Sequence, residues 1–213
     1  NAKSIELDGQ SYSDIGETYT QQVDKNTSIT YTQNEVTSIT TNTMNKDEWV
    51  SQFSKPYWGE TPASKACNKA CDAMLANEDV KSAGMVIVVN NGGDGRAGTA
   101  NGNATNATNK MSTALDFGVP TKVNVDYRAK SSSGDGMGDH FIVVQGKTEI
   151  INNGQVTGTT FNFYDPGTNY QNKGTSSNNT LSIMNRTLVG SHINNGKPIV
   201  VTSIRPSRWE KQH

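Results

Sequence analysis

The spacing of apolar residues predicts two short helices in the middle of the chain. Within residues 66–77, apolar side chains recur three and four positions apart, which is the period of one helix face. The buried face is expected to consist of Ala70, Cys71, Met74 and Leu75. Ser64 is a suitable N-cap for this helix. A second helix is predicted over residues 110–117, because Gly118 and Pro120 follow it.

Short apolar and alternating runs predict β-strands in the rest of the chain. The predicted strands cover residues 84–90, 122–127, 140–145, 159–164 and 198–205. The dipeptides Asn153-Gly154 and Asn195-Gly196, which lie between strands, are typical of tight turns. Helical segments together with antiparallel strands indicate an α+β domain over residues 46–213.

Residues 1–45 have a different pattern, in which threonine and tyrosine alternate and short segments repeat. The sequence Thr-Tyr-Thr-Gln at residues 18–21 returns at 30–33, and Thr-Ser-Ile-Thr at residues 27–30 returns at 37–40. These spacings of 12 and 10 residues suit successive β-strands joined by turns. Two interpretations stay open. The segment is a flexible leader, or it is the β-rich end of a carrier polypeptide to which the next domain is fused.

Charge and composition exclude several function classes. The chain has 19 basic and 20 acidic residues and a net charge of −1, which argues against a nucleic-acid or anionic membrane partner. Its longest apolar run, residues 85–89, is much too short to span a membrane. The histidine and cysteine spacings fit no metal-binding motif, and no cofactor is expected. Because no signal segment precedes Asn1, we expect the chain to be a piece of a longer polypeptide.

Cys67 is the candidate nucleophile. It stands at the predicted start of the first helix, where backbone N–H groups and the helix dipole lower a thiol pKa. Cys71, one turn later, lies on the apolar face and is expected to be a buried small hydrophobic residue. A disulfide between them would be strained, because helical Cα atoms four residues apart are about 6 Å apart. Considered by itself, Cys67 would be better explained as an inert buried thiol.

His140 and Asp165 are the candidate partners of this thiol. His140 begins a predicted strand after a glycine-rich segment, so its imidazole would project into a cleft and take the thiol proton. Asp165 ends the next predicted strand and would orient the imidazole, although the segment 165–167 by itself is typical of a simple turn. His192 and His213 are expected to be solvated bystanders.

The order of these residues resembles a known family. Gln52, fifteen residues before Cys67, is the candidate oxyanion-hole donor beside the Cys67 backbone N–H. The order Gln, Cys at a helix start, His at a strand start and Asp after the next strand resembles papain-like cysteine peptidases, above all the bacteriocin-processing, double-glycine type. Residues 67–74, Cys-Asn-Lys-Ala-Cys-Asp-Ala-Met, are similar to its motif Cys-Gly-Pro-Ala-Ser-x-Ala-Met. Residues 139–144 and 164–167 look like its histidine and aspartate motifs.

The resemblance covers about residues 47–205 and implies both a fold and an activity. The implied fold is the α+β papain-like cysteine peptidase fold, in which an N-terminal helix carrying the nucleophile packs on an antiparallel sheet. The implied activity is hydrolysis of amide bonds in peptidoglycan peptides or in proteins, by Cys67, His140 and Asp165 with Gln52. Two alternatives stay open: a transglutaminase-like thiol acyltransferase, and a non-catalytic structural or adhesive module.

The threonine-rich repeats carry a second resemblance, to the end of a type VI secretion spike or of a polymorphic-toxin carrier. It implies an antibacterial effector that is secreted or delivered into a target cell. The implied partners are a peptide or peptidoglycan substrate, a cognate immunity protein, and a carrier or spike polypeptide at the N-terminus.

Two long segments poor in apolar residues, 91–109 and 131–138, are predicted to be loops. Loops of this length inside a domain are usually functional. Because both lie between Cys67 and His140 in the chain, we expect them to form a substrate lid over the cleft. The alternative is a pair of surface loops remote from the site.

Overall fold

The computed structural model describes most of the chain. The described residues are 4–7, 10–13, 18–33, 35–89, 103–127, 138–184, 187–191 and 198–210. His192 and His213 lie outside them, as do residues 90–102 and 131–137, which make up most of the two predicted lid loops. The expectations for these histidines and for the lid therefore stay predictions.

Strands dominate the described residues. The strands are β1 (Ser4–Leu7), β2 (Gln10–Ser13), β3 (Thr18–Gln22), β4 (Thr27–Thr32), β5 (Glu35–Asn42), β6 (Tyr57–Trp58), β7 (Thr61–Pro62), β8 (Val80–Ser82), β9 (Ile87–Val88), β10 (Thr121–Tyr127), β11 (His140–Asn152), β12 (Gln155–Tyr164), β13 (Thr180–Met184), β14 (Thr187–Ser191), β15 (Pro198–Arg205) and β16 (Ser207–Trp209). The helices are α1 (Cys67–Asn77), α2 (Asn103–Asp116) and α3 (Gln171–Gly174), with short 3₁₀ turns at Lys46–Glu48 and Ala63–Lys65. Within the described ranges, no helix combines the length and the apolar composition needed to cross a membrane.

Six of these strands close into an antiparallel barrel. The order around the ring is β10, β15, β14, β13, β12 and β11, and β10 then pairs with β11. Val123 of β10 lies opposite Ile142 of β11 on one side and Ile204 of β15 on the other. Each strand of the ring thus has a hydrogen-bonded neighbour on both sides.

The fold class predicted from the sequence is therefore wrong. The described residues are mostly β and contain a closed six-stranded antiparallel barrel, whereas the prediction was an α+β papain-like fold with a helix packed on a sheet. The physical reason lies in β13 and β14, Thr-Leu-Ser-Ile-Met and Thr-Leu-Val-Gly-Ser, which are only five residues long each and were not predicted as strands. These two strands connect β12 to β15 and close the ring. Without them the predicted strands make an open sheet.

Two hydrophobic clusters lie on opposite faces of β11. Ile142 and Val144 belong to the barrel cluster, and Val143 between them belongs to a second cluster beneath α1. Helix α2 contributes Ala104, Ala107, Met111 and Leu115 to the barrel cluster. The alternation explains why β11 has consecutive apolar residues, since a strand buried on both faces needs them at every position.

The predicted helices are confirmed in part. Helix α1 has the expected extent, and its four predicted face residues are all buried. Ser64 does not cap it, because the N-cap is Ala66 and Ser64 lies in the preceding 3₁₀ turn. Helix α2 begins at Asn103, well before the predicted position 110, and the predicted strand 84–90 contracts to Ile87–Val88.

The repeats near the N-terminus form the strands that their spacing predicts. Tyr19 of β3 lies opposite Tyr31 of β4, with the two rings stacked at 4.9 Å. The hydroxyl groups of the paired Thr20 and Thr30 are 3.0 Å apart. β5 then pairs with the second half of β11, so these strands extend the sheet of the barrel. The domain boundary at residue 45 and the carrier role stay predictions.

A matched pair of substitutions on β13 tests the location of the barrel core. Leu181 is 0% exposed and Ile183 is 48% exposed on the same strand. We expect Leu181→Ala to lower the free energy of unfolding by about 2–5 kcal/mol, because it leaves a cavity in the core. Ile183→Ala should change it by about 0.5 kcal/mol or less. Urea denaturation followed by tryptophan fluorescence measures both, and equal losses would contradict the assignment.

Candidate active site

The thiol of Cys67 lies at the first residue of α1. The helix is fixed there because Ala66, Ala70 and Cys71 are fully buried and α1 packs against β11. Cys67 itself is half-buried and is not in a disulfide. The backbone N–H groups of Asn68 and Phe141 donate to its sulfur. The start of α1 and the start of β11 therefore meet at this thiol.

His140 and Asp165 are joined by a hydrogen bond of 2.7 Å between Nε2 and Oδ1. They come from neighbouring strands, since His140 is the first residue of β11 and Asp165 follows Tyr164, the last residue of β12. The predicted proximity of these two side chains is confirmed. His140 also forms a hydrogen bond with the Cys67 thiol. Because Nε2 is engaged by Asp165, Nδ1 is the ring nitrogen left for the thiol.

Backbone contacts fix the Asp165 carboxylate in place. The residue is fully buried, and its Oδ1 also accepts a hydrogen bond of 2.7 Å from the Gly167 N–H. Its own N–H donates to the Gly174 carbonyl at 2.9 Å. A side chain at position 167 would be too close, because a Cβ atom there would lie 3.0 Å from both Asp165 Oδ1 and His140 Cε1. Glycine at this turn therefore leaves room for the imidazole.

The pKa values of the thiol and the imidazole move in opposite directions. Burial would raise the pKa of Cys67, but the hydrogen bond and the charge of His140 outweigh it, and the pKa is lower than usual. Burial would lower the pKa of His140, but hydrogen bonds to Asp165 and Cys67 and the charges of both raise it to about 9. Both shifts therefore favour a thiolate beside an imidazolium.

Cys71 shows the opposite behaviour one helical turn away. It is fully buried in the cluster beneath α1, as predicted. Burial raises its pKa well above the ordinary value, and the negative charge of Cys67 raises it further. Cys71 is therefore a packing residue rather than a nucleophile.

Gln52 lies in the same cavity as Cys67 and His140. The cavity has a volume of about 450 Å³. Its other lining residues are Ser64, Lys65, Asn68, Asp139, Phe141 and Gly167. Gln52 is held by its Nε2, which donates to the Ala63 carbonyl at 2.9 Å, and by its backbone N–H, which donates to the Pro166 carbonyl at 3.0 Å. Nε2 carries a second N–H, from which a developing oxyanion in the cavity can accept a hydrogen bond.

Trp49 is a residue of the site that the sequence analysis missed. Its indole N–H donates to the backbone carbonyl of Asp165 at 2.8 Å, and its ring packs against Gly174. The sequence gives no signal for this contact, because the two partners are 116 residues apart. Lys65 and Asp139, which give the cavity wall one positive and one negative charge, were also missed.

The assembled groups are those of nucleophilic acyl transfer. In such chemistry, Cys67 would supply a thiolate, His140 a proton donor and acceptor, Asp165 an orienting carboxylate, and Gln52 with the Cys67 backbone N–H the oxyanion donors. In the described ranges, no group of three or more His, Cys, Asp or Glu side chains is arranged to hold a metal ion. Each of these roles is a role that the geometry permits.

No family model, no curated protein and no solved structure matches this chain. The papain-like resemblance therefore rests on the quoted motifs alone and stays an expectation, and the evidence for function comes from the geometry of the site.

Alkylation with iodoacetamide tests the opposite ionisation of the two cysteines. At about pH 6, Cys67 should be modified and Cys71 should not, because only the Cys67 pKa is lowered. His140→Ala removes the hydrogen bond and the charge that lower this pKa, so the midpoint of Cys67 alkylation should move to higher pH. Mass spectrometry of tryptic peptides after timed alkylation across a pH series measures both sites.

The same pH dependence in the wild type and in His140→Ala would contradict the thiolate–imidazolium pair. Near-ultraviolet circular dichroism of the variant is the control for an intact fold.

Proposed function

We propose that this protein is a cysteine hydrolase that cleaves amide bonds through Cys67, His140 and Asp165. The observation that carries the proposal is the continuous hydrogen-bonded series from the thiol through the imidazole to the buried carboxylate. The order Gln, Cys, His and Asp along the chain, which resembles that of papain-like cysteine peptidases, also supports it.

The first half of the proposed reaction forms a thioester. The Cys67 thiolate attacks the carbonyl carbon of the amide, and the resulting oxyanion is stabilised by the Cys67 backbone N–H and by Gln52 Nε2. The C–N bond then breaks as the His140 imidazolium gives its proton to the leaving amine. The products of this step are a free amine, an acyl-thioester at Cys67 and a neutral His140.

The second half regenerates the enzyme with water. Neutral His140 takes a proton from a water molecule, which attacks the thioester carbonyl. The C–S bond breaks, a carboxylic acid leaves, and the thiolate–imidazolium pair re-forms. Asp165 holds the ring in the orientation that both steps need, and the negative charge of Asp165 stabilises the imidazolium.

The proposed substrates are peptide bonds in peptidoglycan stem peptides or in proteins. The opposite charges of Lys65 and Asp139 in the cavity wall suit a peptide that carries both a carboxylate and an amine. As a bacterial effector that is secreted or delivered into a target cell, the protein would have an immunity protein as a further partner. The threonine-rich strands would then join it to a carrier or spike polypeptide.

Two alternative functions predict different products. A transglutaminase-like acyltransferase would form the same thioester but pass the acyl group to an amine instead of water. A structural or adhesive module would release no new amine from any substrate. The products therefore distinguish the three functions.

Substitution of each cysteine by alanine tests the nucleophile. Wild-type protein and Cys71→Ala should release new amines from purified peptidoglycan sacculi or from a denatured protein. Cys67→Ala should release none, because the other thiol of the chain, Cys71, is fully buried and cannot reach a substrate. Mass spectrometry of the soluble products identifies the new termini and shows which substrate is cleaved.

Retained activity in Cys67→Ala, or loss of activity in a folded Cys71→Ala, would refute the assignment of the nucleophile. If neither substrate yields new amines although Cys67 is alkylated as predicted, hydrolysis of these substrates is excluded.

Gln52→Ala tests the oxyanion hole separately from the thiolate. Loss of one donor should lower kcat by a factor of about 10²–10³ with little change in KM. Alkylation of Cys67 should stay near the wild-type rate, because Gln52 does not contribute to the lowered pKa. Ser64→Ala, at another polar position in the cavity wall, is the matched control and should keep most of the activity. An unchanged kcat in Gln52→Ala would remove Gln52 from the mechanism.

A further inference from the structure

A second and larger cavity lies where the N-terminal strands join the barrel. It has a volume of about 560 Å³, within the range of about 300–1,000 Å³ that is usual for small-molecule sites. Its walls come from β5, β11 and β12, from Gln22 of β3, and from the segments 25–26, 44–46 and 175–177. None of its lining residues lines the Cys67 cavity. The proposed reaction therefore does not use it.

A row of polar residues on neighbouring strands contributes to the lining of this cavity. Gly146 of β11 lies between Asn42 of β5 and Asn162 of β12 in the strand register. A Cβ atom at position 146 would lie 2.5 Å from Asn42 Oδ1, so a side chain there would collide with the cavity wall. In the adjoining row, the hydroxyl groups of Thr40 and Thr148 are 3.0 Å apart. This part of the wall therefore presents amides and hydroxyls, with the Asn42 side chain over Gly146.

Two residues that line this cavity have a buried amide oxygen with no hydrogen-bond partner among the described residues. These oxygens are Gln145 Oε1 and Asn162 Oδ1. Gln145 stands at a register shift of β11, where a bulge can re-aim a side chain, and it is 5% exposed. Its Nε2 donates to Asn42 Oδ1 at 3.3 Å. Buried acceptors of this kind are normally paired, so their position points to a ligand that donates hydrogen bonds.

The charge and polarity of the lining restrict the class of ligand. Lys25 and Lys46 are the charged lining residues, so the cavity does not suit a cation. Most of the other lining side chains are amides and hydroxyls, so it also does not suit an apolar ligand. A molecule with several hydroxyl groups can donate to the unpaired amide oxygens and accept from the lysines and threonines.

We propose that this cavity binds a short saccharide, held by Gln145 and Asn162. The inference goes beyond the proposed hydrolase function and does not depend on it, because binding can be measured without turnover. An amino-sugar polymer and a neutral glucan share the required hydroxyl chemistry. The experiment therefore includes one representative of each.

Nuclear magnetic resonance titration of the ¹⁵N-labelled Cys67→Ala protein tests the proposal, with the N-acetylglucosamine trimer and the glucose trimer cellotriose as probes. We expect saturable shifts of the side-chain amide signals of Gln145, Asn162 and Asn42, and no shift of Gln52. Shifts with the first trimer alone indicate an amino-sugar ligand, and shifts with both indicate recognition of glycan hydroxyls in general. No saturable shift with either trimer at millimolar concentration, or shifts confined to Gln52 and the Cys67 cavity, would overturn the proposal.

Variants test the two amides directly. Gln145→Met and Asn162→Ala should each weaken binding by about tenfold or more, because they remove the unpaired acceptors. Asn152→Ala, an exposed amide at the end of the same strand β11, is the control and should bind as the wild type does. Unchanged affinity in both folded cavity variants would refute the assignment. If a variant does not fold, the titration of the Cys67→Ala protein is the deciding measurement.

Discussion

The structure depends on β11 having two buried faces. Ile142 and Val144 pack into the barrel cluster, while Val143 packs into the cluster beneath α1. The register of this one strand therefore fixes the barrel and the helix at the same time, since a shift by one residue would exchange the two sets of side chains. Because His140 begins β11 and Cys67 begins α1, the packing of the two clusters also sets the separation of imidazole and thiol.

Within this packing, hydrogen bonds determine which protonation states of Cys67 and His140 are favoured. Burial alone would neutralise both the thiol and the imidazole. A rise of the His140 pKa from 6.5 to about 9 corresponds to about 3 kcal/mol in favour of the charged ring, with the hydrogen bond to Asp165 as the largest favourable contribution. Cys71 on the same helix has no such partner and keeps its proton. The environment, rather than the residue type, therefore lowers the pKa of one cysteine and raises that of the other.

Local elements could be predicted from the sequence, whereas the closure of the barrel could not. Helix α1 has a clear apolar period, and β15 is a strongly apolar run, so the predicted bounds of both are confirmed within a residue. The grouping of Cys67, His140, Asp165 and Gln52 could be predicted because each stands at the start, the end or the flank of such an element. β13 and β14 pair correctly only in the context of their neighbours, since each is only five residues long. The contact of Trp49 with Asp165 depends on the same long-range pairing.

The end of β12 explains why the triad forms at this point of the barrel. β12 pairs with β11 as far as Tyr164 opposite Val143, and its last residue lies short of the level of His140. Pro166 cannot donate a ladder hydrogen bond, so the chain turns away from the sheet after Asp165. On the other side, β10 continues to pair with β11 as far as His140, opposite Val125. His140 thus has a strand neighbour on one side, and on the side that β12 has left, its imidazole binds the Asp165 carboxylate. The same turn brings the Gly167 N–H to that carboxylate and the Pro166 carbonyl to Gln52. A single early strand end therefore positions the orienting carboxylate and the oxyanion donor together, which an uninterrupted β12 would prevent.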